Sequence, residues 1–243
     1  MQRKYPVTAA MMKTIKGHLF GRQPADVAFR GRTDVSVADA PAVWAGLVTA
    51  WMFLLRGGEW LCHDGCGYDP AKVVIGSGIV GYADGVRTLD LSLAMEIALE
   101  LRTSKTDQYN FGAWRNHFRS GREICPVEAM VLLQRHHPER FGNGAEVLKP
   151  LFRRANGGPI LTSQVNMMLA NAAEECGMPP DRMGSHSLRI GGASALLHAG
   201  IQIENIMRWG RWLSNSFQRY LWEANETAPV SYTHLTLPTK RIV

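Results

Sequence analysis

The sequence predicts an α+β domain that is mainly helical and contains a small antiparallel β-sheet. Three observations favour this class: an early apolar helix, short β-rich segments between residues 72 and 102, and a series of helices from Pro126 onward. The predicted order is helix, sheet and then several helices, without the strand-helix alternation that builds parallel sheets. We therefore expect one mixed domain.

The first strong helix is predicted over residues 41–55, where the sequence PAVWAGLVTAWMFLL is apolar on almost every side. This pattern is typical of a helix buried in the core. The sequence Arg56-Gly57-Gly58 follows and predicts the end of the helix. Arg56 is therefore expected at the end of a buried helix.

Between residues 72 and 102 the segments KVVIG, TLDLS and IALELR alternate with Gly and Asp turn residues. This alternation predicts a small antiparallel sheet. Lys105 lies in the polar turn TSKTDQ that follows.

The remainder of the chain predicts helices at residues 126–136 and 162–175, which begin with a Pro and a Thr/Ser cap respectively. Three shorter helices are predicted at 187–198, 203–209 and 215–223, where glycine and polar residues separate apolar residues at helical spacing.

Positive charge is concentrated in separate segments of a chain with a net charge of +6. Residues 1–33 carry seven Lys or Arg against one acidic residue, and residues 101–122 and 182–219 each carry five against one. Basic segments that converge on one face are typical of proteins that bind a phosphate backbone. A solvated basic surface is the alternative.

Other classes of protein are disfavoured by composition. No run of 18 apolar residues and no signal peptide are present, so we expect a soluble intracellular protein. The four scattered cysteines predict reduced thiols. Cys62, His63 and Cys66 lie close together, but no second pair of metal ligands follows, so local packing is favoured over zinc and we expect no cofactor.

The last fifteen residues, 229–243, change character abruptly and resemble a translated sequencing adapter. We interpret residues 1–228 as the domain itself and residues 229–243 as a non-native tail.

Five short motifs occur along the chain in a meaningful order: Arg56-Gly-Gly-Glu59, Ser104-Lys105-Thr106, His186-Ser-Leu-Arg189, Gly210-Arg211-Trp212 and Tyr220. Each is weak alone, but together they resemble the tyrosine recombinase family, a group of DNA breaking-rejoining enzymes. That family has an Arg with an acidic residue three positions later, a Lys on a β-hairpin and an HxxR. A Gly-His or Gly-Trp then stands nine residues before the nucleophilic Tyr.

Nine residues also separate Arg211 from Tyr220 here, although Arg211 stands where most members have His or Trp. The sequences SKTDQ, HSLRIGGASA and GRWLSNSFQRYL look most like Crypton-like and DIRS-like recombinases of eukaryotic mobile elements. The resemblance implies a tyrosine-recombinase catalytic domain whose N-terminal core-binding domain is largely absent.

The resemblance also implies the roles of the site residues. Tyr220 is the expected nucleophile and Lys105 the expected general acid. Forked guanidinium groups suit the nonbridging oxygens of a phosphorane-like state, so Arg56 and Arg189 are expected to clamp the phosphate, with Arg211 assisting. His186 lies on the same helical face as Arg189 and is expected to help remove the Tyr220 proton. Glu59 and Trp212 are expected to play supporting roles.

The predicted function is site-specific DNA recombination and integration of a mobile element through a 3′-phosphotyrosyl intermediate, without metal. The expected partner is double-stranded DNA, and no association with a membrane is expected. We expect the full-length protein to form a homotetramer on DNA and this chain in isolation to be a monomer. The expected location is the nucleus. The alternatives are a type IB topoisomerase-like enzyme and an inactive, domesticated DNA-binding relic.

Overall fold

The computed structural model describes residues 3–21, 35–102 and 112–213. Within these ranges, α-helices pack against and follow an antiparallel sheet, as the sequence predicts. The helices are α1 (Ala9–Phe20), α2 (Ala40–Met52), α3 (Pro126–His136), α4 (Thr162–Glu175), α5 (Ser185–His198) and α6 (Ile203–Gly210). The strands are β1 (Ile79–Ala83), β2 (Val86–Thr88), β3 (Glu96–Leu101) and β4 (Ala113–Phe118). Short 3-10 helices cover Gly57–Glu59, Gly76–Gly78, Pro138–Arg140, Ala145–Leu148 and Pro180–Arg182.

The sheet has the strand order β2-β1-β3-β4, with every neighbouring pair antiparallel. The register pairs Ile97 with His117 and Leu99 with Arg115, so these four side chains share one face. Ile97 and Leu99 are buried in the main core, which places His117 and Arg115 at its edge. The inner face of β4 is therefore polar where that of β3 is apolar.

Two of the predicted strands are wrong in position, although the sheet itself is confirmed. The segment IALELR forms β3, but KVVIG makes only a single bridge between Ile75 and Pro150, and TLDLS lies mostly after β2. Strand β4 lies beyond the region where the sheet was predicted.

Helix α2 ends at Met52, three residues before the predicted end. Leu54 adopts a left-handed conformation with φ of 54°, and the Leu55 N–H donates to the Ala50 carbonyl at 3.0 Å. This is the Schellman arrangement, with leucine in the position that glycine usually takes. The Leu54 side chain is fully buried against Ala193, Leu196 and Ile206 of α5 and α6, and this burial offsets the backbone strain.

At two glycines, helix α5 lies directly against the backbone of α2 and of the N-terminal segment. A Cβ on Gly192 would lie 2.0 Å from the Trp51 carbonyl oxygen, and one on Gly191 would lie 2.1 Å from the Val7 carbonyl oxygen. No side chain fits at either position, so the two glycines set the close approach of α5. This approach brings Arg189, one turn earlier, to the C-terminal end of α2.

Helix α5 begins at Ser185, two residues before the predicted start. The Asn166 Oδ1 atom of α4 accepts from the Ser185 N–H at 2.7 Å and supplies a long-range cap. His186 therefore lies in the first turn of α5, where helix dipoles favour negative charge.

Helix α1 precedes the first helix that the sequence predicts. Thr8 caps it by accepting from the Met11 N–H at 3.2 Å, and Met11, Met12 and Ile15 are buried in the main core. The α1 segment thus belongs to the same folded unit. None of the described helices is long and apolar enough to cross a membrane.

Candidate active site

The carbonyl oxygen of Leu54 accepts hydrogen bonds from two guanidinium groups that lie far apart in the sequence. Arg189 Nη1 of α5 donates to it, and Arg211 Nη2 donates to it at 3.3 Å. Arg189 Nη2 also donates to the Gly210 carbonyl, so Arg189 bridges the end of α2 and the end of α6. Only 2% of Arg189 is exposed, and its charge therefore rests on these polar contacts.

Arg211 reaches this cluster because its own backbone is left-handed, with φ of 59° at the C-terminal cap of α6. The Trp212 N–H donates to the Met207 carbonyl at 3.0 Å and closes the turn. Glycine is common at such positions because it lacks a Cβ. Here an arginine accepts the strain, and its side chain is directed back across the end of α2.

Glu59 is the carboxylate that holds the cluster together. It accepts from Arg211 Nη1 at 2.6 Å and Arg211 Nη2 at 3.0 Å, a bidentate pair in which both side chains are buried. It also accepts from the Arg56 N–H at 2.8 Å, and its Oε1 lies 3.6 Å from Arg56 Nη1. Two guanidinium groups, those of Arg56 and Arg211, thus lie against one carboxylate, and Arg189 joins them through the shared Leu54 carbonyl. The cluster has a net positive charge that a bound anion could neutralise.

Trp212 covers the buried guanidinium of Arg189. The Arg189 Cζ atom lies 4.3 Å from the centroid of the Trp212 ring, within the range of a cation–π contact. A Cβ on Gly210 would lie 1.8 Å from this ring, so glycine is required at position 210 while Trp212 holds this place. Glycine admits the indole, and the indole limits the position of Arg189.

His186 lies one turn before Arg189 on α5. Its side chain keeps an exposed edge, although the surrounding protein removes part of its hydration. This burial, followed by the positive charge of Arg189, lowers the pKa of His186 below its ordinary value. The imidazole is therefore neutral at pH 7 and able to accept a proton.

Arg115 and His117 of β4 border the cluster, and neither was predicted as a site residue. Arg115 Nη2 donates to the Arg208 carbonyl at 3.1 Å, and burial, followed by the charges of Arg211 and Arg208, lowers the pKa of Arg115. His117 is buried, and burial lowers its pKa to about 4. The alternation of the sequence AWRNHF was the only available signal, since it places Arg115 and His117 on one face of a strand.

The structure brings together Arg56, Glu59, Arg189, Arg211 and Trp212, with His186 one helical turn away. Lys105 and Tyr220 lie outside the described residues. The described residues contain no group of three or more His, Cys, Asp or Glu side chains that could hold a metal ion. Cys62 is buried, and its backbone forms an isolated parallel β-bridge with that of Leu161, whereas Cys66 is exposed.

Comparison with known proteins places the fold. No protein-family model matches the sequence, and no curated protein matches it significantly. Among solved structures, the chain is similar to the XerH site-specific recombinase bound to palindromic difH substrate in a post-cleavage complex. That likeness has 10% identity and a TM-score of 0.55, and it covers 90% of this chain but 50% of XerH.

The chain is also similar to the Tn1549 transposon integrase (residues 82–397) in complex with circular intermediate DNA. That likeness has 14% identity and a TM-score of 0.43, and it covers 96% of this chain and 64% of the integrase. The chain thus spans about half to two thirds of the lengths of these structures. The similarity to XerH confirms the predicted fold, that of a tyrosine-recombinase catalytic domain with a small antiparallel sheet.

Proposed function

We propose that this chain is the catalytic part of a site-specific DNA recombinase that cleaves and rejoins DNA strands through a 3′-phosphotyrosyl intermediate. The observation that supports this proposal best is the cluster in which Arg56 and Arg211 pair with Glu59 while Arg189 and Arg211 share the Leu54 carbonyl. These residues come from three segments of the chain, and their net positive charge suits a phosphodiester. The fold shared with a DNA-bound recombinase supports the same function.

In this proposal Arg56 and Arg189 stabilise the reacting phosphate. Attack on a phosphodiester adds negative charge to its nonbridging oxygens, and fixed guanidinium groups stabilise that charge without reorganisation. Arg189 is fixed already by the carbonyl groups of Leu54 and Gly210. We assign Arg211 a supporting role, because its guanidinium forms a bidentate pair with Glu59, whose negative charge offsets its own, whereas the partners of Arg189 are neutral carbonyls.

Proton transfer would accompany each bond change. The Tyr220 hydroxyl attacks phosphorus and passes its proton to neutral His186, while the bond from phosphorus to the 5′ oxygen breaks. Lys105 gives a proton to that leaving oxygen. A free phenol has a pKa of about 10, so nearby guanidinium charge assists the ionisation of Tyr220.

The finer proposal is that the enzyme recombines and integrates a mobile element of the Crypton-like or DIRS-like kind. We further propose nuclear location, a homotetramer of the full-length protein on double-stranded DNA, and a monomer for this chain alone. The concentration of positive charge in separate segments of the sequence supports DNA as the partner.

The test is covalent trapping on a pool of nicked DNA duplexes with randomised sequence. Cleavage next to the nick releases a short DNA fragment that diffuses away, so the strand cannot be rejoined and the protein stays attached to the DNA. Wild type and the control Tyr232→Phe should form a protein–DNA adduct resistant to denaturation, whereas Tyr220→Phe should form none. An adduct that persists in Tyr220→Phe removes this residue as the nucleophile.

The same assay separates the alternative functions. DNA binding by every variant without any adduct identifies the inactive relic. An adduct together with relaxation of supercoiled plasmid, but without joining of separate duplexes by the full-length protein, identifies a type IB topoisomerase-like enzyme.

A further inference from the structure

His117 lies between the two backbone segments that hold Arg189. Its side chain is buried, and its Nε2–H donates to the Met52 carbonyl, the last of α2, at 2.9 Å. Its ring stacks on Trp209 of α6 with centroids 5.2 Å apart and an interplanar angle of 17°. It also meets the edge of Phe53 at 4.5 Å and 77°.

These contacts are made one or two residues before the carbonyl groups that accept from Arg189. Met52 and Phe53 directly precede Leu54, and Trp209 directly precedes Gly210. Arg189 can reach both acceptors only while the two segments keep their separation. The imidazole of His117 sets that separation from the side of β4.

We propose that His117 is a positioning residue that fixes the spacing of residues 52–54 and 209–211 and thereby orients Arg189. Its effect on the reaction rests on the function proposed above. Its effect on Arg189 does not depend on any reaction.

The chemistry of a neutral imidazole suits this task. The Met52 carbonyl lies at a helix end and has no partner within the helix, so it needs a buried N–H donor. The Trp209 indole needs a flat ring against its face. Phenylalanine offers only the ring and glutamine offers only the donor. A protonated imidazole would add a further cation two residues from Arg115 on the same face of β4, and burial keeps the ring neutral.

A second contact from the same strand strengthens this arrangement. Arg115 donates to the Arg208 carbonyl at 3.1 Å, so β4 is attached to the C-terminal end of α6 at two successive inward positions. Strand β4 also follows directly after the segment that contains Lys105. Strand β4 therefore lies between the sequence segment that carries the candidate general acid Lys105 and the backbone carbonyl groups that hold Arg189.

The experiment compares the whole chain with His117→Phe and His117→Gln, each of which keeps one half of the interaction. The first measurement is the single-turnover rate of adduct formation on saturating nicked DNA, together with the Kd for that DNA. We expect the rate to fall roughly 10- to 100-fold in both variants, as for other small misplacements of catalytic groups. The Kd should change less than about threefold, because phosphate contacts at the surface are kept.

A control separates positioning from a general loss of stability. Ile15→Val removes a methyl group from the buried face of α1, which packs in the main core, and it should leave the adduct rate unchanged. The shape of the pH–rate profile between pH 6 and 9 should be the same in wild type and variants, because His117 transfers no proton. A changed profile, or an equal fall in rate for Ile15→Val, overturns the positioning role.

The second measurement needs no reaction. The guanidinium NMR signals of Arg189, assigned with Arg189→Lys, should show slow side-chain rotation in wild type, because both Nη groups are held by carbonyls. They should average in both His117 variants. Unchanged Arg189 signals would refute the proposal, whereas altered signals in a protein that never forms an adduct would refute only the proposed function.

Discussion

Replacement of Glu59 with Gln removes the negative charge that balances Arg211 and leaves the size of the side chain almost unchanged. Glu59 and Arg211 are both buried and are joined by bonds of 2.6 and 3.0 Å. At a charge separation of about 4 Å and an effective dielectric constant of about 20, their attraction is about 4 kcal/mol. Loss of one partner of a buried ion pair costs about 3–5 kcal/mol. Because Gln keeps part of the hydrogen bonding, we expect Glu59→Gln to lower the free energy of unfolding by about 3 kcal/mol.

The assay is urea unfolding followed by tryptophan fluorescence, with Glu128→Gln as the matched control. Glu128 pairs with Arg119 at 2.5 Å on the surface, and Arg119 keeps its bonds to the carbonyls of Leu91, Ser92 and Ala94. An exposed pair of this kind contributes at most about 1 kcal/mol. A loss for Glu59→Gln no larger than that of the control would refute the reasoning.

A double variant separates stability from function. Glu59→Leu combined with Arg211→Met removes both charges and fills similar volume, so it should recover most of the stability that Glu59→Gln loses. If Arg211 and Glu59 also orient Arg56 and Arg189, the stable double variant should still form adducts slowly.

Two further predictions concern packing and pH. Gly192→Ala should lower the free energy of unfolding by about 1–3 kcal/mol, because its Cβ would lie 2.0 Å from the Trp51 carbonyl oxygen. Gly17 lies on the exposed side of α1 with open space around it. Gly17→Ala should therefore raise the free energy of unfolding by about 0.5–1 kcal/mol in the same urea titration. Burial lowers the pKa of His117 from the usual value of about 6.5 to about 4, so the unfolded chain binds more protons between these values. The free energy of unfolding should therefore fall by about 3 kcal/mol from pH 6.5 to pH 4 through this residue alone. When the free energy of unfolding is plotted against pH, wild type and His117→Gln should differ in slope across that window and run parallel above it.

The sequence predicted those elements whose ends are marked by local chemistry. Helix α3 begins at Pro126 and α4 begins at Thr162, as predicted. The predicted Thr/Ser cap of α4 is wrong, because the cap is Leu161, whose N–H donates to the Gln164 side chain, and the Thr162 hydroxyl donates to the Cys62 carbonyl at 2.9 Å. The end of α2 was misplaced because the glycines at 57 and 58 indicated a stop, whereas Leu54 ends the helix through tertiary burial. The start of α5 was misplaced because Asn166, nineteen residues earlier, caps it.

The same division applies to the site. The motifs identified Arg56, Glu59, Arg189, Arg211 and Trp212, which the structure brings together, and they left open which partner each side chain takes. The pairing of Glu59 with Arg211 spans 152 positions, and no local pattern predicts it. His117 was missed because its role depends on the packing of β4 against two helix ends. The predictions for Lys105 and Tyr220 lie outside the described residues and remain predictions.

The left-handed turn at Leu54 makes the guanidinium cluster depend on three packed parts of the fold. The Leu54 carbonyl can accept hydrogen bonds from Arg189 and Arg211 only when α2 has ended, α5 has packed against it and α6 is complete. The Gly210 carbonyl and the Arg211 guanidinium, which complete the cluster, are the last of its groups along the chain. A partly folded molecule therefore holds its arginines apart in water, and its affinity for phosphate remains non-specific and dependent on salt. If the chain cleaves DNA as proposed, completion of the fold is thus a condition for that reaction.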